Sequence, residues 1–222
     1  RRPARGCTEP WHYRNKMEFS FGDTADRDFA LGMYPTGYKY EILNLDECHL
    51  QSEFTSDLIP RIREWAIEHG LEPYINPKDE GFLRLLNVRE GKRTDQRLVR
   101  LTTTHEPKAS FDGREVDAET IAEAFADVVR DFASTRDEDV TSIYWTQKKA
   151  IQGQPTEFID HHLHGKPVLE EELHLPDDEV LRFEIHPRAF FQTNSLQAEV
   201  LYEEVLDQAG WLGENRTASC IL

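Results

Sequence analysis

Short apolar runs broken by tight turn signals recur along most of this 222-residue chain. They leave room for little but a sheet whose neighbouring strands are mainly antiparallel. From Tyr13 the residues alternate, with Tyr13, Asn15, Met17, Phe19 and Phe21 on one side and Arg14, Lys16, Glu18 and Ser20 on the other, the pattern of a half-buried strand. Residues 29–34 and 38–43 predict a hairpin around Pro35-Thr36-Gly37. Residues 82–89 and 97–103 predict two strands joined by a six-residue turn. The first of these does not alternate strictly, which suits burial on both faces. Residues 140–147 read as another strand, and 168–173 and 180–185 as a hairpin across Pro176-Asp177-Asp178. Two stretches have helical spacing instead. Leu50, Phe54, Leu58, Ile62, Trp65 and Ala66 form one stripe, with Pro60 marking a kink or the true start. Ile121, Ala124, Phe125, Val128, Val129 and Phe132 form the other, after an Asp117 cap. The expected fold class is α+β, a mainly antiparallel sheet with helices on one face.

The last hairpin runs directly into His186-Pro187-Arg188-Ala189-Phe190-Phe191-Gln192-Thr193-Asn194. A helix is expected from about Ser195, with Asn194 as N-cap, Gln197 at capping-box spacing and Gly210 as the stop. Leu196, Val200, Leu201 and Val205 recur along it at helical intervals. A glutamine amide both donates and accepts hydrogen bonds, so Gln192 suits the edge of a nucleobase, and a neighbouring Phe offers a stacking face. The plain alternative is a strand-to-helix turn with buried phenylalanines.

Composition allows one large domain, or one domain and part of a second. No apolar run approaches a membrane span and no signal peptide is visible at the start, although the chain begins with Arg rather than Met. Cys7, Cys48 and Cys220 are too few and scattered for a disulfide framework, and a reducing, cytoplasmic setting is expected. A net charge of -16 opposes nucleic-acid binding unless a local basic face survives. Arg1, Arg2, Arg5, Arg14 and Lys16 cluster near the start, and Arg84, Arg89, Lys92, Arg93, Arg97 and Arg100 along residues 84–100. Lys92 and Arg93, at a predicted loop tip, are phosphate candidates. The acidic runs Asp137-Glu138-Asp139, Glu170-Glu171-Glu172 and Asp177-Asp178-Glu179 read as solvated faces and loops. His161, His162 and His164 read as loop histidines, since no second ligand cluster sits at a recognised spacing.

Pro187-Arg188-Ala189-Phe190-Phe191-Gln192-Thr193-Asn194 resembles the segment that opens the catalytic domain of the RNA uracil-5-methyltransferase family. Residues 13–22, Tyr-Arg-Asn-Lys-Met-Glu-Phe-Ser-Phe-Gly, and Cys48-His49-Leu50-Gln51 resemble two further family stretches in the same order. The resemblance spans residues 11–210. It implies a lead-in at 1–10, a central α+β domain at 11–189, and at 190–222 the first helix of an incomplete Rossmann-like domain that binds S-adenosylmethionine. The implied activity is methylation of uridine C5 in structured RNA, with 23S ribosomal RNA favoured and transfer RNA the alternative, by a monomer with no membrane association. By resemblance Phe190 would lie against RNA bases. Gln192 would contact both the uracil edge and the methionine end of the cofactor, and Arg14 and Lys16 would meet the RNA backbone. Cys48 would be the fourth ligand of a 4Fe-4S cluster. The family's other three cluster cysteines have no counterpart in this sequence, so the cluster is not expected on this chain. No Asp-x-x-Cys-Gly-x-Gly-type cofactor turn and no Pro-flanked nucleophilic Cys occur either, and Cys220 is a poor substitute. The 222-residue chain is therefore expected not to methylate RNA by itself. Two other readings stay open, a non-catalytic RNA-binding module and an inert or acidic interaction protein.

Overall fold

The computed structural model describes residues 3–38, 40–75, 78, 80–151 and 153–211. Its centre is a seven-stranded sheet. In chain order the strands are β1 (Lys16–Asp23), β2 (Phe29–Met33), β3 (Leu43–Asn44), β4 (Leu83–Glu90), β5 (Arg97–Thr104), β8 (Ser142–Lys149) and β9 (Glu157–Gly165), and in space they run β3-β2-β1-β4-β5-β8-β9. Every neighbouring pair is antiparallel except β5 with β8. A parallel pair needs a long crossover. Here it consists of a small hairpin, β6 (Lys108–Phe111) and β7 (Arg114–Asp117), followed by helix α2 (Ala118–Thr135).

Strand parity sorts the side chains into two faces. Met17, Phe19 and Phe21 of β1, Leu86 and Val88 of β4, Val99 and Leu101 of β5, and Ile143 and Trp145 of β8 share one core. Helices α1 (Glu53–Glu68) and α2 cover that face, contributing Phe54, Leu58, Ile62 and Trp65 from α1 and Ile121, Phe125 and Val129 from α2. Burying such stripes, at roughly 25 cal/mol per Å² of apolar area, is what holds the helices down. The α+β class with helices on one face is therefore as expected. The second face is not open to solvent. A separate hairpin, β10 (Leu169–His174) with β11 (Val180–Ile185), packs there, with Leu169 and Ile185 against Leu98 and Tyr144. Helix α3 (Ser195–Gln208) lies beside β10.

Several elements differ from expectation. Helix α1 starts at Glu53, capped by Ser52, and runs through Pro60, so the proline marks neither end. The return arm of the first hairpin is only Leu43–Asn44, and it runs very close to β2. A Cβ on Gly32 would lie 1.9 Å from the Leu43 carbonyl oxygen. Strand β1 begins at Lys16, after a bend at Asn15. The three histidines lie on strand β9 rather than in a loop, since β8 pairs along its whole length with 157–165. No helix among the described residues is long and apolar enough to cross a membrane.

Candidate nucleic-acid interface

Residues 186–194 leave β11, cross the second face of the sheet and enter α3. Two distant parts of the chain, Arg89 on β4 and Asn15 just before β1, hold them. The Arg89 side chain on β4 donates to the Ala189 carbonyl. The Asn15 backbone N–H donates to Thr193 O at 2.7 Å. The Asn15 side-chain amide donates to Gln192 O at 2.6 Å and to Ser195 Oγ at 2.9 Å. At the far end Asn194 Oδ1 accepts the Gln197 N–H at 3.0 Å, so the expected N-cap is in place. The capping box is not reciprocal, because the Gln197 side chain bonds Arg5 O instead.

This tethering sends the two phenylalanines opposite ways. Phe191 packs edge-on against Phe183, 5.3 Å between ring centroids, and joins the small second core. Phe190 is 84 % exposed, the most exposed large apolar side chain among the described residues. The buried-turn alternative thus describes Phe191 and not Phe190. Gln192 and Thr193 are also exposed, and with Asn194, Gln197 and Leu201 they line an open groove of about 700 Å³, bordered across by Arg5. The apolar stripe expected on α3 is largely uncovered, with Leu201 and Val205 both half exposed.

Beside this segment Arg188 donates to Asp160 Oδ2 at 2.7 Å and lies over the Phe158 ring. Burial alone would raise the Asp160 carboxyl. Hydrogen bonds from Thr146 and Arg188 and the charges of Arg188 and Arg100 outweigh it, and hold the group below its ordinary value. Beneath the segment Arg89 is pushed down to about 10 by burial and by the neighbouring Arg100.

The cations singled out in the sequence fare differently. Lys16 faces the second side of the sheet, paired with Glu18 at 2.8 Å. Arg14 lies before the bend, its guanidinium 3.6 Å from Met17 Sδ, so the two do not form one strand-face pair. The basic stretch 84–100 is not a basic patch. Lys92 pairs with Glu90, Arg93 with Glu199, and Arg97 with Asp95 and Glu138, while Arg89 and Arg100 are buried. Lys92 and Arg93 are thereby lost as phosphate candidates. Two of these acids, Glu199 and Glu138, arrive from elsewhere in the chain, where a count along 84–100 misses them.

Cys48 is buried in the main core, its N–H accepted by Ser56 Oγ, while Cys7 is exposed and near Asn194. Cys220 lies outside the described residues. Among the described residues no group of three or more His, Cys, Asp or Glu could hold a metal. A four-thiolate cluster does not fit them. His161 stacks on Trp145 at 4.5 Å and His162 lies against Tyr144 at 5.0 Å, on opposite faces of β9. Asn15, Arg89 and Ser195 were missed as site residues. Asn15 did carry a signal: a lone amide in the inward row of an apolar strand must find partners.

No protein-family model matches the sequence. Individual proteins do. An uncharacterized RNA methyltransferase of Protochlamydia amoebophila is 35% identical over 208 residues, 91% of this chain and 46% of that protein. Over nearly its whole length the chain is similar to RNA methyltransferases. Another uncharacterized RNA methyltransferase, from Chlamydia trachomatis, is 31% identical over 94% of this chain and 51% of its own length. The solved structure of Pyrococcus abyssi tRNA (uracil-54, C5)-methyltransferase, in complex with S-adenosyl-L-homocysteine, superposes with a TM-score of 0.60 at 27% identity, covering 90% of this chain and 42% of that one. The chain thus spans about half the length of these relatives.

Proposed function

We propose that this chain supplies the RNA-facing domain of an S-adenosylmethionine-dependent RNA uracil-C5 methyltransferase, and that residues from 190 onward open the cofactor domain. The observation that carries the reading is the exposed Phe190 beside Gln192, on a segment tethered by Asn15 and Arg89. A target uridine must leave its stack to be modified. Phe190 offers a face on which an RNA base stacks, and Gln192 presents a donor and an acceptor that match the N3–H and O4 of uracil. S-adenosylmethionine, when bound, supplies the methyl group. Gln192, Thr193 and Asn194 would hold the amino and carboxylate groups of its methionine end in the groove, with Leu201 against the short methylene chain. The nucleophile and base for C5 chemistry are assigned to no residue of this chain, so the 222 residues alone are expected to bind RNA without methylating it.

The resemblance favours ribosomal RNA because Cys48 matches a cluster ligand of the cluster-bearing branch of the family, and that thiol lies in an apolar core. The solved relative acts on transfer RNA, which makes transfer RNA the better first choice. The test is equilibrium binding of the purified chain to a transfer RNA arm and to a uridine-bearing 23S stem-loop. Affinity for the transfer RNA arm should be the tighter, and should fall at least about tenfold between roughly 50 and 200 mM salt. Absence of affinity for either RNA at low salt would sink the reading and leave the inert alternative.

A further inference from the structure

We propose that Glu171 is a positioning residue for segment 190–194, acting through Ser195 and Asn15. Its use in RNA recognition rests on the function proposed above; the relay itself does not. Glu171 sits in the middle of the acidic run on β10, where Leu169, Glu171 and Leu173 point inward. It is 1% exposed, unlike the solvated carboxylate that a Glu-Glu-Glu run suggests. Among the described residues no cationic side chain comes within ion-pair distance of it, although buried carboxylates ordinarily have such a partner.

What holds it is a set of four donors. Oε2 accepts the Lys92 N–H at 2.8 Å and the Ser195 hydroxyl at 2.7 Å. Oε1 accepts the Arg93 N–H at 3.0 Å and the Glu172 N–H at 3.1 Å. Only a carboxylate presents two oxygens free of hydrogen, and glutamine would turn an NH2 group toward two of these donors. The arrangement also has a direction. Because the Ser195 proton is committed to Glu171, its lone pairs face Asn15, whose amide donates to it at 2.9 Å. The second Asn15 amide hydrogen then goes to Gln192 O at 2.6 Å, and the Asn15 backbone N–H to Thr193 O. If Ser195 lost its acceptor, its hydroxyl could turn toward Asn15, and the Asn15 amide would lose its fixed orientation. Among the described residues Asn15 Oδ1 has no partner that would hold it.

The hub ties together elements far apart in sequence. Lys92 and Arg93 belong to the β4–β5 turn, and Arg93 also makes two bonds to Glu199 of α3, at 3.1 and 2.6 Å. Glu199 in turn accepts the His174 N–H of β10 at 2.9 Å. Turn, hairpin and helix are thus locked around one carboxylate, and the Gln192 carbonyl hangs from it through the Ser195 and Asn15 side chains.

A residue that merely stabilises the fold would, when changed, loosen the whole sheet. A positioning residue loosens the segment first. The experiment is NMR hydrogen exchange on the full chain and on its Glu171→Gln and Ser195→Ala variants. It reads the Asn15 side-chain amide and backbone N–H against the Val88 and Leu101 amides of the sheet. Ser195→Ala is included because Glu171→Gln carries the greater risk to folding. Exchange at Asn15 should quicken at least about tenfold in both variants, with less than about a twofold change at Val88 and Leu101. Unchanged exchange at Asn15, or equal acceleration across the sheet, would overturn the proposal. Titration with the transfer RNA arm separates it from the functional reading. A wild-type chain that fails to bind RNA but shows the local effect would refute that reading and leave the relay standing.

Discussion

Replacing Phe190 by alanine is expected to weaken binding of structured RNA by roughly 5- to 150-fold, the equivalent of about 1–3 kcal/mol for one lost base–aromatic stack. Stability should hardly move. The ring is 84 % exposed and belongs to neither hydrophobic core, so its removal opens no cavity and leaves no polar group unpaired. Phe191→Ala supplies the contrast, because that ring packs on Phe183 and its loss should lower the urea midpoint. Filter binding and urea melts of the two variants measure both effects. Equal RNA affinity for wild type and Phe190→Ala would remove Phe190 from the interface.

Trp145→Ala is expected to be the most damaging single change in the main core. The indole is 1% exposed on β8, packs against the helical face and stacks on His161. Its Nε1–H donates to Thr103 Oγ1 at 2.9 Å, a bond between neighbouring parallel strands. Truncation removes the ring, the stack and that bond together. Buried Trp or Phe to alanine costs about 3–5 kcal/mol, against a total stability of about 5–15 kcal/mol for a typical domain. A chain so altered should melt at much lower urea or fail to accumulate folded. A loss under about 1 kcal/mol would mean that Trp145 is not packed in the main core.

Local patterns were legible and distant partners were not. Met17, Phe19 and Phe21 declared themselves by period-two alternation, and the Asn194 cap by a motif four residues long, because both depend on neighbours in sequence. Strand β9 carries three histidines and little apolar character, so only its pairing with β8 makes it a strand. The β6–β7 hairpin was signalled by Asp112-Gly113, both at positive φ in its turn, but its arms are only four residues each. In the site, exposure of Phe190 beside a half-buried Phe191 follows from tethers supplied by Asn15, just before β1, and by β4, which no local pattern reveals. The same holds for charge. Arg93 reads as free until Glu199 arrives from α3, and Glu171 reads as solvated until the alternation of Leu169 and Leu173 is noticed.

The most direct test of the central claim is photocrosslinking of the chain to a transfer RNA arm carrying 5-iodouridine at loop positions, followed by peptide mapping. The account predicts that the principal crosslink falls on the peptide containing Phe190 and Gln192, and that it disappears with excess unmodified RNA. Crosslinks confined to the helical face of the sheet, or none that unmodified RNA competes away, would contradict it.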